Sequence, residues 1–135
     1  MYSGPVAGDM YTVTMSRTFV AQHYLTVPNP EPPEGEPHSH AFTAEARLGG
    51  PELGEYDYLL NIDDLAAAMD DTVEEYRDEL LNDRPEFEGL NPSVERFAER
   101  FADRLLSRLD APRVERCEVR MWEDDVAWAS YERPA

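Results

Sequence analysis

His38-Ser39-His40-Ala41-Phe42-Thr43-Ala44-Glu45-Ala46-Arg47-Leu48 is the stretch from which the fold is read. Phe42, Ala44, Ala46 and Leu48 alternate with Thr43, Glu45 and Arg47, the period-two pattern of a half-buried strand. Alternate side chains of extended backbone share a face, so His38 and His40 project the same way. Upstream, Met10 to Leu25 alternates likewise, with Tyr11, Val13 and Met15 against Thr12, Thr14 and Ser16, and it carries His23 toward its end. Pairing the two strands brings His38 and His40 beside His23, and the chain has no other histidine. Three neutral imidazoles with an open position make the ligand set of a catalytic zinc site, whereas a structural site closes with a fourth ligand, usually with thiolates in the set. Cys117 is the single cysteine and lies far along the chain. The bland alternative is three unrelated surface histidines.

Between the strands, Val27 to Pro37 holds five prolines and a glycine in eleven residues, which excludes helix and central strand. This loop delivers the chain into His38. After Leu48, Gly49-Gly50-Pro51 predicts a turn, and Tyr56 to Asn61 a short extended run. Ile62, Leu65, Met69, Val73, Tyr76 and Leu80 then follow helical spacing, with Asp63 and Asp64 at the positive end of the helix dipole. Asn82 to Leu90 reads as a polar loop. Asn91 as N-cap and Pro92 in the first turn open a second helix, whose apolar stripe is Val94, Phe97, Ala98, Phe101 and Leu105 and which ends at Asp110-Ala111-Pro112. Arg96, Arg100, Arg104 and Arg108 recur every four residues and read as a solvated or interface face rather than a ligand site.

Cys117, Val119 and Met121 make a third strand, Glu123-Asp124-Asp125 the turn, and Val126, Trp128 and Ser130 a fourth. The order is strand, strand, helix, helix, strand, strand. It predicts an α+β fold over residues 1–135: a four-stranded antiparallel sheet of two hairpins with both helices on one face. Residues 1–9 read as a loose lead-in. The other face of the sheet is left uncovered, so a homo-oligomer is expected.

The charge is unusual: 29 acidic residues against 12 basic ones, a net of -17, and every basic residue is arginine. Such a surface suits a salt-loaded, halophilic cytoplasm, where hydrated carboxylates keep a protein dissolved. The acids spread from Asp9 to Glu132 rather than clustering for a basic partner, and they repel phosphate backbones, which argues against nucleic acid. No apolar run is long enough for a membrane span, and the N-terminus lacks the basic-then-apolar layout of a signal peptide, so a cytoplasmic location is expected.

Several short motifs, in order along nearly the whole chain, resemble the 6-pyruvoyl-tetrahydropterin synthase and 6-carboxy-tetrahydropterin synthase family. Phe19-x-Ala21-x-His23 is similar to its first ligand strand, and His38-Ser39-His40 to its His-Gly-His. Asn61-Ile62-x-x-Leu65 is similar to its Asp-Phe-x-x-Leu helix start. Leu81-Asn82-Asp83 and Pro92-Ser93-x-Glu95 resemble its Leu-Asn and Pro-Thr-x-Glu pair, and Glu123 with Tyr131 its closing hairpin. The resemblance implies a tunnelling fold (T-fold) whose strands join a barrel in trimers or hexamers, with the site at a subunit boundary. It implies Zn2+ on His23, His38 and His40, and a pterin substrate bound by Glu123 and Ser93, Glu123 accepting hydrogen bonds from the ring's N–H edge. It also implies lyase-type side-chain chemistry on dihydroneopterin triphosphate or a related dihydropterin, in pterin, folate or 7-deazapurine (queuosine or archaeosine) precursor pathways. Read without the resemblance, Glu123 is a turn residue beside Asp124 and Asp125.

The departures concern proton transfer. Family members carry a cysteine four residues before His-x-His; here that position is Glu34, and Cys117 cannot be aligned to it. Their Asp-His before x-x-Leu-Asn is Arg77-Asp78 here, and the aspartate at the helix start is Asn61. Glu34 is therefore the candidate base, with Asp78 as a second acid or base and Glu36 as a competitor; the alternative is that both glutamates are surface charge. A further alternative is a lapsed paralogue that keeps zinc and pterin but not turnover. Arg47, Arg77 and Arg84 are candidate phosphate anchors. A zinc hydrolase on another small fold is disfavoured by the absence of a His-Glu-x-x-His helix.

Overall fold

The structure, a computed structural model, describes residues 10–135; the lead-in expected at residues 1–9 lies outside the described residues. Tyr11–His23 (β1) and His38–Gly50 (β2) pair antiparallel over their whole lengths, from Tyr11 opposite Gly50 to His23 opposite His38. Arg116–Trp122 (β3) pairs with the later part of β2, Thr43 facing Trp122 and Gly49 facing Arg116, and Trp128–Pro134 (β4) completes the sheet. The order β1-β2-β3-β4 fuses the two expected hairpins into one antiparallel sheet. Gly50 is required at the join, because a Cβ there would collide with the Arg113 carbonyl where the chain enters β3.

The alternation read from the sequence decides which face is buried. Phe19 and Ala21 of β1, Phe42, Ala44, Ala46 and Leu48 of β2, and Cys117, Val119 and Met121 of β3 all point into one core. Ile62–Tyr76 (α1) and Val94–Ser107 (α2) cover that face, α1 against β1 and α2 chiefly across β3 and β4. Asn61 caps α1, its side chain accepting from the Asp63 and Asp64 amides at 2.8 and 3.4 Å. The opposite face is polar: Thr18 bonds Thr43 at 2.8 Å, Arg116 pairs with Glu132 at 2.9 Å, and Arg120 lies 4.3 Å from the Trp128 ring centre. Among the described residues no helix is long and apolar enough to cross a membrane.

Three local expectations are corrected. The first helix stops at Tyr76, short of Leu80, because the chain turns at Asp78 (φ 60°) to cover the outer edge of β1. There the Asp78 amide donates to Val20 O at 2.7 Å and the Gln22 amide to Glu79 O at 2.9 Å, so strand-edge bonds replace helical ones. Asn82 to Leu90 is no plain polar loop: 3-10 turns at Leu81–Asp83 and Pro85–Phe87 drop Leu81 and Phe87 into the core. Ser93, not Asn91, caps α2, its Oγ accepting the Arg96 amide at 3.1 Å, while Asn91 accepts the Thr26 amide at 2.8 Å. The arginine ladder, expected as a solvated or interface face, has two members at the contact between the helices. Arg104 and Arg108 reach across to Glu75 of α1, at 3.4 and 3.0 Å, and tie the two helices together.

Candidate metal centre

The antiparallel register that sets His23 opposite His38 puts all three imidazoles on the core-facing side, at the end of the sheet where the apolar ladder stops. Their ring centres lie 4.6 to 5.3 Å apart. Phe42 stands edge-on beneath two of them, 5.6 Å from both His23 and His40. The cluster is therefore braced on the aromatic core rather than carried by loops.

Backbone carbonyls orient two of the rings. His23 Nδ1 lies 2.8 Å from Pro92 O, and His38 Nδ1 lies 2.7 Å from Glu36 O. A carbonyl can only accept, so each Nδ1 carries the proton and each Nε2 of the neutral ring presents a lone pair. Burial lowers the pKa of His23, and the neighbouring His38 and His40 push the same way against the Pro92 hydrogen bond. A buried imidazole held neutral is a metal ligand in waiting. The Nε2 atoms of all three histidines are buried without a hydrogen-bond partner, which is costly unless something binds them. They fit a cation.

Glu123 joins them: its carboxylate and the three ring nitrogens offer ligand atoms all within 4.8 Å of one another. It arrives on the first residue after β3, where Asp124 shapes the turn by accepting the Val126 and Ala127 amides at 2.9 and 2.8 Å. Glu34 lies beside the group, its carboxylate 3.9 Å from His38 Nε2, on a loop tied down by a 2.7 Å bond from the Leu25 amide to Glu34 O. Glu36 contributes its carbonyl to His38, and its side chain is exposed.

Asp78 is exposed at the outer edge of β1 and is not part of the cluster. Ser93 caps α2 and borders a cavity of about 230 Å³ with Glu95, Arg96 and Tyr131. Of the candidate phosphate anchors, Arg77 pairs with Glu74 at 2.8 Å, Arg84 lies 3.5 Å from Glu86, and Arg47 sits in a cavity on the polar face of the sheet. The Pro92 and Glu36 carbonyls were missed from the sequence because a backbone acceptor has no side-chain signature. Cys117 is buried, its thiol pushed up to about 12 by that burial, which suits a core residue and not a base.

A four-stranded antiparallel sheet, helices on one face and, at its end, a histidine–carboxylate cluster able to hold a cation together define an α+β protein of the T-fold class. Residues 12–134 match the family described as 6-pyruvoyl tetrahydropterin synthase, and the chain belongs to that family. Its fold is similar to 6-pyruvoyl tetrahydropterin synthase from Plasmodium vivax, with 14% identity, 93% of this chain and 99% of that chain covered, and a TM-score of 0.78. It is also similar to the Caenorhabditis elegans enzyme, with 16% identity, 98% and 99% covered, and a TM-score of 0.75. A Burkholderia dihydroneopterin aldolase bound to guanine is more distant, with 12% identity, 94% and 91% covered, and a TM-score of 0.50. At these identities the likeness is one of fold. No curated protein sequence matches the chain. The family places the protein in pterin metabolism, with the tetrahydropterin synthase type.

Proposed function

We propose that the protein is a zinc-dependent lyase that rearranges or cleaves the side chain of dihydroneopterin triphosphate or a related dihydropterin, with Glu34 as general base. The observation that carries this reading is the convergence of three buried, unpartnered Nε2 atoms beside two carboxylates. Zinc held by His23, His38 and His40 would polarise a side-chain hydroxyl of the pterin and lower its pKa. Glu34, 3.9 Å from His38 Nε2, would act as the base that takes the proton from the adjacent carbon. A mutant structure of the Plasmodium vivax enzyme is described as altering a catalytic glutamate, which supports a carboxylate in this role. Glu123 would read the ring's N–H edge through two parallel acceptors, and Ser93 would line the same side. Asp78, outside the cluster within one chain, would serve as the second acid or base in a site closed by neighbouring subunits of a trimer or hexamer. The acidic, lysine-free surface suits a halophilic cytoplasm.

Glu34→Gln in the zinc-loaded protein tests the reading, with dihydroneopterin triphosphate as substrate and chromatography of the products. Turnover should fall roughly 10²- to 10⁴-fold, the range for loss of a general base; unchanged turnover sinks the role of Glu34. The replacement of the family's Cys and Asp-His by Glu34 and Arg77-Asp78 favours a second reading, a zinc- and pterin-binding paralogue without turnover. It predicts saturable pterin binding by calorimetry, and any 6-pyruvoyl- or 6-carboxy-tetrahydropterin product refutes it.

A further inference from the structure

Glu123 stands closer to the histidines than a residue reserved for reading a ligand ring requires. Its Oε1 lies 2.9 Å from His40 Nε2, and the pair lacks the alignment of a hydrogen bond, since that nitrogen is without a hydrogen-bond partner. A carboxylate oxygen pressed against an imidazole nitrogen without a shared proton is repelled by its lone pair. The arrangement is stable when both face one cation. Two ligands of a tetrahedral zinc ion, with bonds of about 2.0–2.2 Å, sit about 3.3–3.6 Å apart, so only a small outward shift of this carboxylate would seat both on one ion.

Few contacts hold the Glu123 carboxylate in place. Among the described residues its carboxylate has no arginine partner, in a chain where most arginines are paired, and its side chain is 30% exposed. The turn beneath it is held by Asp124, not by Glu123. Glu123 also lines a cavity of about 260 Å³ with Val94, Glu95, Ala127, Trp128 and Ala129. One carboxylate thus belongs both to the histidine cluster and to the lining of a cavity that includes Trp128.

We propose that Glu123 is a displaceable fourth metal ligand: without a pterin it closes the coordination shell of the histidine centre, and a bound pterin draws it out toward the cavity. The inference rests on the zinc reading of the histidines. It joins ring recognition to the opening of the metal, because the carboxylate that binds the ring is the one that vacates the coordination position. Water is thereby kept from the metal until a substrate arrives.

The full chain, stripped of metal, is titrated with Co2+ and with Zn2+ against a competing chelator, first alone and then with neopterin as the probe. The wild type without neopterin should give the intense visible absorption of four-coordinate Co2+ and resist azide. Glu123→Ala and Glu123→Gln should bind zinc on the order of 10- to 100-fold more weakly, as loss of a partner in a metal site does, and azide should change their Co2+ spectra. Neopterin should shift the wild-type band as hydroxyls replace the carboxylate. Circular dichroism confirms that the variants are folded; the near-isosteric Gln variant serves if Ala is not. Wild-type affinity and spectrum in both variants, with metal lost in His40→Ala, overturn the inference and leave the histidine centre standing. No metal binding by the wild type overturns both.

Discussion

Replacing Phe42 with alanine should loosen the core and the metal centre together. Phe42 is wholly buried, and its ring centre lies 5.1 Å from Phe97, 6.3 Å from Phe19 and 5.6 Å from each of His23 and His40. Removing a buried phenylalanine costs about 3–5 kcal/mol, the upper part of that range applying where the surroundings cannot collapse. Collapse is hindered here, since Phe42 sits in mid-sheet opposite Phe19, with strand bonds fixing the backbone. A domain stable by about 5–15 kcal/mol would lose a large fraction of its margin. Urea unfolding of the metal-free chain, followed by circular dichroism, should show a midpoint lower by about 2 M for a slope near 2 kcal/mol/M. Phe42→Leu, which refills most of the volume, should recover more than half of the loss. The folded alanine variant should also bind zinc more weakly, because two ligand rings lose the edge that braces them. A midpoint within about 0.5 M of wild type would refute the bracing role, and normal metal affinity would refute the coupling of core to site.

Glu86 is the second test. Burial alone would raise its carboxyl pKa, but its own backbone amide, the Tyr76 hydroxyl at 2.8 Å and the Arg84 and Arg104 guanidiniums outweigh burial and hold it below the ordinary 4.5. Its stabilisation is therefore present above the unfolded pKa and lost as pH falls through the lower folded value. Glu86→Gln should be less stable than wild type at pH 7, and the gap should narrow below about pH 4.5 in urea titrations; a gap constant with pH would exclude the linkage. Cys117, buried with its thiol pushed up to about 12, should resist a disulfide reagent in the native protein and react at once in denaturant. Fast native labelling would contradict its place in the core.

The strands were legible because burial on one side writes a period of two into the chain. Phe42, Ala44, Ala46 and Leu48 are buried, as their spacing predicts, and so are Cys117, Val119 and Met121. The approach of His38 and His40 to His23 was expected from the same pattern; the register that sets His23 opposite His38 came from the structure. The end of α1 was not legible: Leu80 keeps the helical spacing, but the helix stops at Tyr76, and the Asp78 amide and Glu79 carbonyl bond Val20 and Gln22 instead, whose positions depend on packing. Phe87 looked like one apolar residue in a polar stretch, and only the 3-10 turns carry it into the core. Asn91 and Ser93 are both good caps; the one nearer Thr26 was taken by that loop.

By itself, the sequence determined the order of elements and which residues share a face, His38 with His40 among them, since each rests on spacing along a strand or helix. The tertiary structure decided the order of strands in the sheet, the carbonyls of Pro92 and Glu36 that turn each Nε2 inward, and the arrival of Glu123 at His40. Those contacts join residues far apart in the chain or use backbone atoms common to every residue. No local pattern encodes them, and they exist only once the core has closed.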